Sequence, residues 1–153
     1  YLMELVGEGA KVAELQGVPG ASATIDRGAG FHQVADQSLQ VAASQTANFN
    51  RAEGMTVMEN ILQSDGTIKG VFAHNDEMAL GAVEAVAASG KDIKIVGFDA
   101  TDDAQKAVKD GKMAATVAQK PDKMGETAIG TAVKIMAGET VEKSIPVEVE
   151  LIK

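Results

Sequence analysis

The chain has 153 residues, 45% hydrophobic and 24% charged, enough apolar material for one ordinary domain with a packed core. Its 22 acidic against 14 basic residues give a net charge of −8, which disfavours a general nucleic-acid or anionic-membrane binder, since both need a basic surface. No apolar run approaches the ~18 residues of a membrane helix, and the absence of cysteine excludes disulfides and thiolate nucleophiles while leaving the compartment open.

The opening "YLMELVGEGAKV" reads as the last turns of a helix, stopped by Gly7 and Gly9, and then a strand. With no initiator Met and no N-cap before Tyr1, the expectation is a fragment of a longer chain, so the lack of a targeting signal has no weight. "KVAELQG" (11–17) predicts a strand, and "GVPGAS" then opens a helix from Ser22 to about Asp36. That loop suits either a phosphate on the helix N-terminus or a tight turn with Ser22 as N-cap, and the G-K-[ST] of a Walker loop is absent. "LQVAAS" (39–44) is a second strand, followed by the loop "QTANFN" and a helix from about Arg51 to Gln63. "KGVFA" is a third strand; the helix after it carries Met78, Leu80, Ala82, Val83 and Val86 and ends at Gly90. "IKIVGFD" (93–99), a short helix closed by Gly111, and "MAATVAQ" (113–119) complete the alternation. Short apolar strands joined by helical crossovers predict an α/β fold, a parallel sheet with helices on both faces. After Gln119 the rhythm changes: Pro121 opens a helix that runs to Gly138, and the chain ends in a segment that alternates like a strand.

Enzyme chemistry does not assemble from these residues. The two histidines, His32 and His74, are expected far apart, each on the surface or in a loop, and nothing completes a zinc set. There is no G-x-S-x-G elbow, and the G-x-G of "GEGAKV" precedes a strand, the wrong order for a dinucleotide loop. No metal or cofactor is expected. Loops at the carboxyl ends of parallel strands are where ligands bind, and five polar or aromatic residues fall there or nearby: Arg27, Phe49, Asn75, Asp99 and Gln119. A carboxylate accepts from neighbouring hydroxyls, a carboxamide donates and accepts, a guanidinium donates in a fork, and an aromatic ring covers the C–H face of a sugar. Together they suit a polyhydroxy ligand. Each also has a plainer reading: Arg27 as a helix-surface charge, Phe49 as core, Asn75 as an N-cap, Asp99 as a loop cap and Gln119 as a solvated strand end.

"ELQGVPGASATIDRGAGF", "FAHNDEMALGA", "IVGFDATDDAQKAVKDGKMAATVAQKPDKMG" and "PVEVELIK" closely resemble the C-terminal half of the periplasmic ribose-binding proteins, the type I sugar-binding proteins of ABC transporters. The resemblance covers essentially the whole chain. It implies one lobe of a type I periplasmic-binding-protein fold and a non-catalytic protein that binds a monosaccharide, D-ribose first among them. It also matches the five residues above to sugar contacts, with Asp76 and Glu77 left to favour a helix N-terminus electrostatically. The implied partners are the sugar, an N-terminal lobe absent from this sequence, ABC permease subunits and, as a further candidate, a chemoreceptor. The implied location is the periplasm or the outer face of the cell membrane. The rival reading is the effector-binding domain of a LacI-type transcriptional regulator, which shares the fold, although no helix-turn-helix or basic segment is present; an enzyme of flavodoxin-like architecture is a third.

The resemblance also implies a division of the chain. Residues 1–119 form the C-terminal lobe, 149–153 return to it, and 120–148 comprise hinge crossings and a helix that goes with the absent lobe. The stripe Met124, Ala128, Ile129, Ala132, Val133, Ile135 and Met136 recurs at helical spacing and needs a cover. The expectation is that the isolated chain either self-associates through residues 121–137, with exchange of that helix between copies as one form, or folds this helix back on its own lobe.

Overall fold

The computed structural model describes all 153 residues. In chain order the elements are α1 (Leu2–Val6), β1 (Lys11–Gln16), α2 (Ser22–Ser38), β2 (Gln40–Thr46), α3 (Arg51–Ser64) and β3 (Gly70–Ala73). Then follow α4 (Asp76–Ser89), β4 (Lys94–Phe98), α5 (Asp102–Lys109), β5 (Ala115–Ala118), α6 (Pro121–Met136) and β6 (Glu150–Ile152). The strands form one six-stranded sheet in the order β2-β1-β3-β4-β5-β6, parallel except for β6, which pairs antiparallel with β5.

Alternation along the strands sends side chains to two unequal layers. Ala13, Leu15, Val71 and Ile95 enter the larger core, where Met58 and Ile61 of α3, Met78 and Ala82 of α4, and Ala104 and Ala107 of α5 meet them. Val12 and Val96 point the other way, beneath α1 and α2, with Leu2 and the stacked pair Phe31–Phe72 at a centroid distance of 4.9 Å. Helices α3 and α4 approach closely because two glycines face each other's backbone. A Cβ on Gly81 would lie 2.1 Å from the Arg51 carbonyl oxygen, and one on Gly54 2.7 Å from Met78 Cα.

Local capping explains three of the six helix starts and the end of α4. Asn50, Asn75 and Thr101 each accept a backbone N–H of the first turn of α3, α4 and α5, and Gly90 adopts the left-handed conformation that ends α4. The expected cap at Ser22 is not found. Ala21 holds the N-cap position with no side-chain bond, Ser22 is the first helical residue, and Thr24 instead reaches back to the Val18 carbonyl at 2.8 Å. The turn before the helix is closed by the Ala21 N–H, which donates to the Val18 carbonyl at 3.2 Å, with Gly20 at φ 83°.

Helix α6 buries no residue. It is not folded back on its own lobe, so that half of the expectation is corrected: α6 connects β5 to the edge strand β6 and adds no residue to either core. Its apolar residues remain open, Ile129 at 70% and Met136 at 87% exposure. A shallow groove between the helix and residues 142–147 is lined by Met124, Ala128, Ile135, Ile145 and Val147.

Candidate functional site

The strand order reverses between β1 and β3. From β1 the chain moves outward to β2, and from β3 it moves the opposite way to β4 and β5. Loops leaving adjacent strands in opposite directions open a crevice at the carboxyl edge of the sheet. Phe49 lies in the loop after β2, Asn75 between β3 and α4, Asp99 directly after β4 and Gln119 directly after β5, while Arg27 reaches the same edge from the second turn of α2.

Three of these side chains are bonded to one another. Asp99 Oδ1 accepts from Arg27 Nη2 at 3.0 Å and from Gln119 Nε2 at 2.7 Å, while Asp99 Oδ2 receives no hydrogen bond from the protein. Arg27 Nη1 donates to the His74 main-chain carbonyl, and its guanidinium lies 4.1 Å from the centroid of the Phe98 ring. With a side chain only 14% exposed, Arg27 is not a free surface charge.

Asn75 and Phe49 sit beside this group with mixed roles. Asn75 Oδ1 caps α4 by accepting from Met78 N–H at 3.0 Å, the plainer of its two readings, while its Nδ2 donates to the Phe49 carbonyl at 3.3 Å. The Phe49 ring lies over Gly17, where a Cβ would come within 2.0 Å of it, and its inner edge packs on the larger core. The backbone here is strained. Every non-glycine residue with positive φ falls in two of these loops: Asn48 (52°), Phe49 (59°), Asp99 (115°) and Ala100 (53°). Such conformations cost about 1–3 kcal/mol each and persist where the surroundings impose them, often at ligand sites.

The imposing surroundings are polar and buried, and the sequence reading passed over them. Asp76, in the first turn of α4 where its charge favours the helix N-terminus, is also fully buried. Its Oδ1 accepts from Thr116 Oγ1 at 2.7 Å and its Oδ2 from Thr101 N–H at 2.8 Å, while Thr116 Oγ1 accepts from Ala100 N–H at 3.2 Å. This strut pins the Asp99–Ala100 turn, and burial pushes the Asp76 carboxyl above the usual carboxylate range. Glu77 instead takes a two-pronged bond from Arg51 at 2.8 and 3.0 Å.

The histidines need a partial correction. His74 lies in the β3–α4 connection, as a loop residue, but is fully buried, and the two rings converge in space: His74 Nε2 lies 2.8 Å from Glu14 Oε1 and His32 Nε2 lies 3.2 Å from Glu14 Oε2. The fold brings them together because β1 and β3 are neighbours and α2 crosses above both. Burial pushes the Glu14 carboxyl up, but the bonds from His74, Ser44 and Gln16 outweigh it and bring it down to about 2. His32, bonded to Asp36 at 2.8 Å and to Glu14, is held above the usual histidine value. A signal for Glu14 was available: a carboxylate inside the otherwise apolar "KVAELQ" demands buried donors. Phe98, read only as an apolar strand end, is the floor beneath Arg27.

The edge is open. The larger clefts of the surface lie elsewhere, beside Lys109 and Lys153, along α6, and below Lys69 and Lys94, so these five residues present one wall and no enclosure. The family described as "Periplasmic binding protein domain" matches residues 1–140. The ribose import binding protein RbsB of Bacillus subtilis (strain 168) is 54% identical over 151 residues, spanning 99% of this chain and 50% of that protein. A periplasmic solute-binding protein of an ABC transporter from Actinobacillus succinogenes, solved with bound D-allose, superposes with a TM-score of 0.90 at 33% identity, covering 99% of this chain and 55% of that one. A periplasmic ribose ABC transporter protein from Conexibacter woesei gives a TM-score of 0.91 at 28% identity, over 99% and 53%. The chain therefore spans about half the length of the relatives it matches, and it belongs to the periplasmic binding protein domain family.

Proposed function

We propose that this chain is the sugar-binding half of a non-catalytic solute-binding protein, and that its ligand is a monosaccharide, D-ribose first among them. The observation that carries this is the Asp99 carboxylate at the carboxyl edge. Its Oδ1 is fixed by Arg27 and Gln119, its backbone is held by the Asp76 strut, and its Oδ2 is left with no protein donor. A carboxylate so oriented is an acceptor for hydroxyl groups that arrive from outside the lobe. Arg27, Gln119 and Asn75 add polar contacts, and Phe49 supplies an apolar surface with Gly17 behind it. The 54% identity to the B. subtilis ribose import binding protein supports ribose over other sugars.

The half-length coverage and the exposed α6 support the rest of the reading. Residues 1–119, with 149–153, form one lobe. Residues 120–148 are the crossings and the helix that pack with a second lobe, and the sugar is held between the two. The complete protein works at the periplasmic or outer side of the membrane, delivers its ligand to ABC permease subunits and offers a surface to a chemoreceptor. Alone, the 153-residue chain covers the stripe of α6 by self-association.

Calorimetry on the complete two-lobed protein, with a panel of pentoses and hexoses, tests the reading. Charge-assisted hydrogen bonds contribute about 1.5–3 kcal/mol each, so Asp99→Ala and Arg27→Ala are each expected to weaken ribose binding by ~10- to 100-fold. Parental affinity in both variants would overturn the site, and a hexose bound more tightly than ribose would overturn the ligand.

A further inference from the structure

Two fully buried polar side chains lie next to the proposed sugar edge without facing it. Glu14 and His74 occupy the layer beneath α2 that is otherwise filled by Val12, Phe31 and Phe72. A buried carboxylate is costly unless donors surround it, and an apolar pair of the same volume would serve stability as well or better. Four donors nonetheless converge on Glu14: His74, Gln16, Ser44 and His32. Stability alone does not account for such an arrangement.

The His74 ring is held on three sides. Its Nδ1 accepts from Gly17 N–H at 3.4 Å, and because that backbone group only donates, Nε2 carries the hydrogen given to Glu14 at 2.8 Å. Its Cε1 lies against Gly28 of α2, where a Cβ would come within 3.2 Å. The backbone of His74 is thereby locked between β1 and α2. Its carbonyl is the acceptor for Arg27 Nη1, the next residue is Asn75, and Gly17 is the residue on which the Phe49 ring rests. One buried ring thus ties together three elements that present sugar-facing groups.

Resting on the sugar-binding reading above, we propose that the Glu14–His74 pair is a positioning device for the ligand site. It fixes the carbonyl that aims Arg27, so that the guanidinium is already set against Asp99 before sugar arrives. Neither residue touches the sugar; both act through Arg27. A pre-set guanidinium spares the ordering of a long side chain on binding.

The test is a double-mutant cycle in the complete two-lobed protein, read as ribose Kd by calorimetry, on the parent, His74→Leu, Arg27→Ala and the pair. His74→Leu is expected to weaken binding by about fivefold or more, a coupling ordinary for residues in one hydrogen-bond network. In the Arg27→Ala background the same change should cost less than about twofold, because the group it positions is gone. His74→Gln, whose carboxamide both donates to Glu14 and accepts from Gly17, should restore binding. Should His74→Leu fail to fold, Glu14→Gln takes its place in the cycle with the same expectation. Losses that simply add, or parental affinity in the positioning variant, would overturn the proposal. Asp99→Ala is the control that separates the two readings: if it binds ribose like the parent, the site itself is wrong and the device falls with it. If it weakens binding while the positioning variant does not, only the device is wrong.

Discussion

Helix α4 buries eight of its 14 residues between α3 and the sheet, whereas α6, with 16 residues and a full apolar stripe, buries none. Both have Met, Ala, Val and Gly at helical spacing, and both begin with a favoured first turn: α4 is capped by Asn75 and α6 has Pro121 at its start. The difference is therefore not in local propensity. Helix α4 has a sheet face beneath it and a helix beside it whose Gly54 admits its backbone, while α6, between β5 and the edge strand β6, adds no residue to either core. A helical pattern states what a segment needs; the rest of the chain decides whether that need is met.

Truncation of matched methionines gives the largest expected contrast. Met78→Ala in α4 should cost about 2–5 kcal/mol, as for other fully buried methionines, whereas Met136→Ala at the open end of α6 should shift the urea midpoint of the 153-residue chain hardly at all. An equal loss at both positions would mean that α6 has found a cover. Acid should next single out the lobe. The Glu14 carboxyl is lowered to about 2 from an ordinary 4.5, so its contribution is fully present above pH 4.5 and is lost as pH falls towards 2. The shift corresponds to about 3 kcal/mol. Urea unfolding between pH 2 and 6 should show this slope in the parent and a flattened one in Glu14→Gln.

Glycine substitutions sharpen the contrast further. Gly81→Ala drives a methyl group into the Arg51 carbonyl, which should destabilise the chain by about 1–3 kcal/mol. Gly130→Ala meets nothing within 4 Å and should stabilise α6 by about 0.5–1 kcal/mol, visible as added helicity by circular dichroism. Should Gly130→Ala instead weaken the longer protein, that residue would mark a close contact between α6 and the proposed second lobe. The smallest expected change in fold, with a clear change in mass, comes from Ile129→Glu and Val133→Glu. Light scattering on the 153-residue chain should then show dissociation to monomer with the sheet intact. A parent that is already monomeric at high concentration would remove self-association from the account.

The sequence by itself determined the alternation of strands and helices, because apolar runs, capping Asn and Thr residues and terminal glycines are local signals with local causes. It also singled out the carboxyl-edge residues, since residue type and strand end together point at a ligand edge. It did not reveal that Asp76 is a buried strut, that Ser22 caps nothing, or that His32 and His74 meet at Glu14. Those relations join residues up to 60 positions apart: the histidines meet because β1 and β3 become neighbours under α2, and the strut forms because β3, β4 and β5 lie side by side. Whether a carboxylate faces water or four donors, and whether a helical stripe is covered or bare, depends on which surfaces the whole chain brings together. Burial is a property of that assembly, and no residue has it alone.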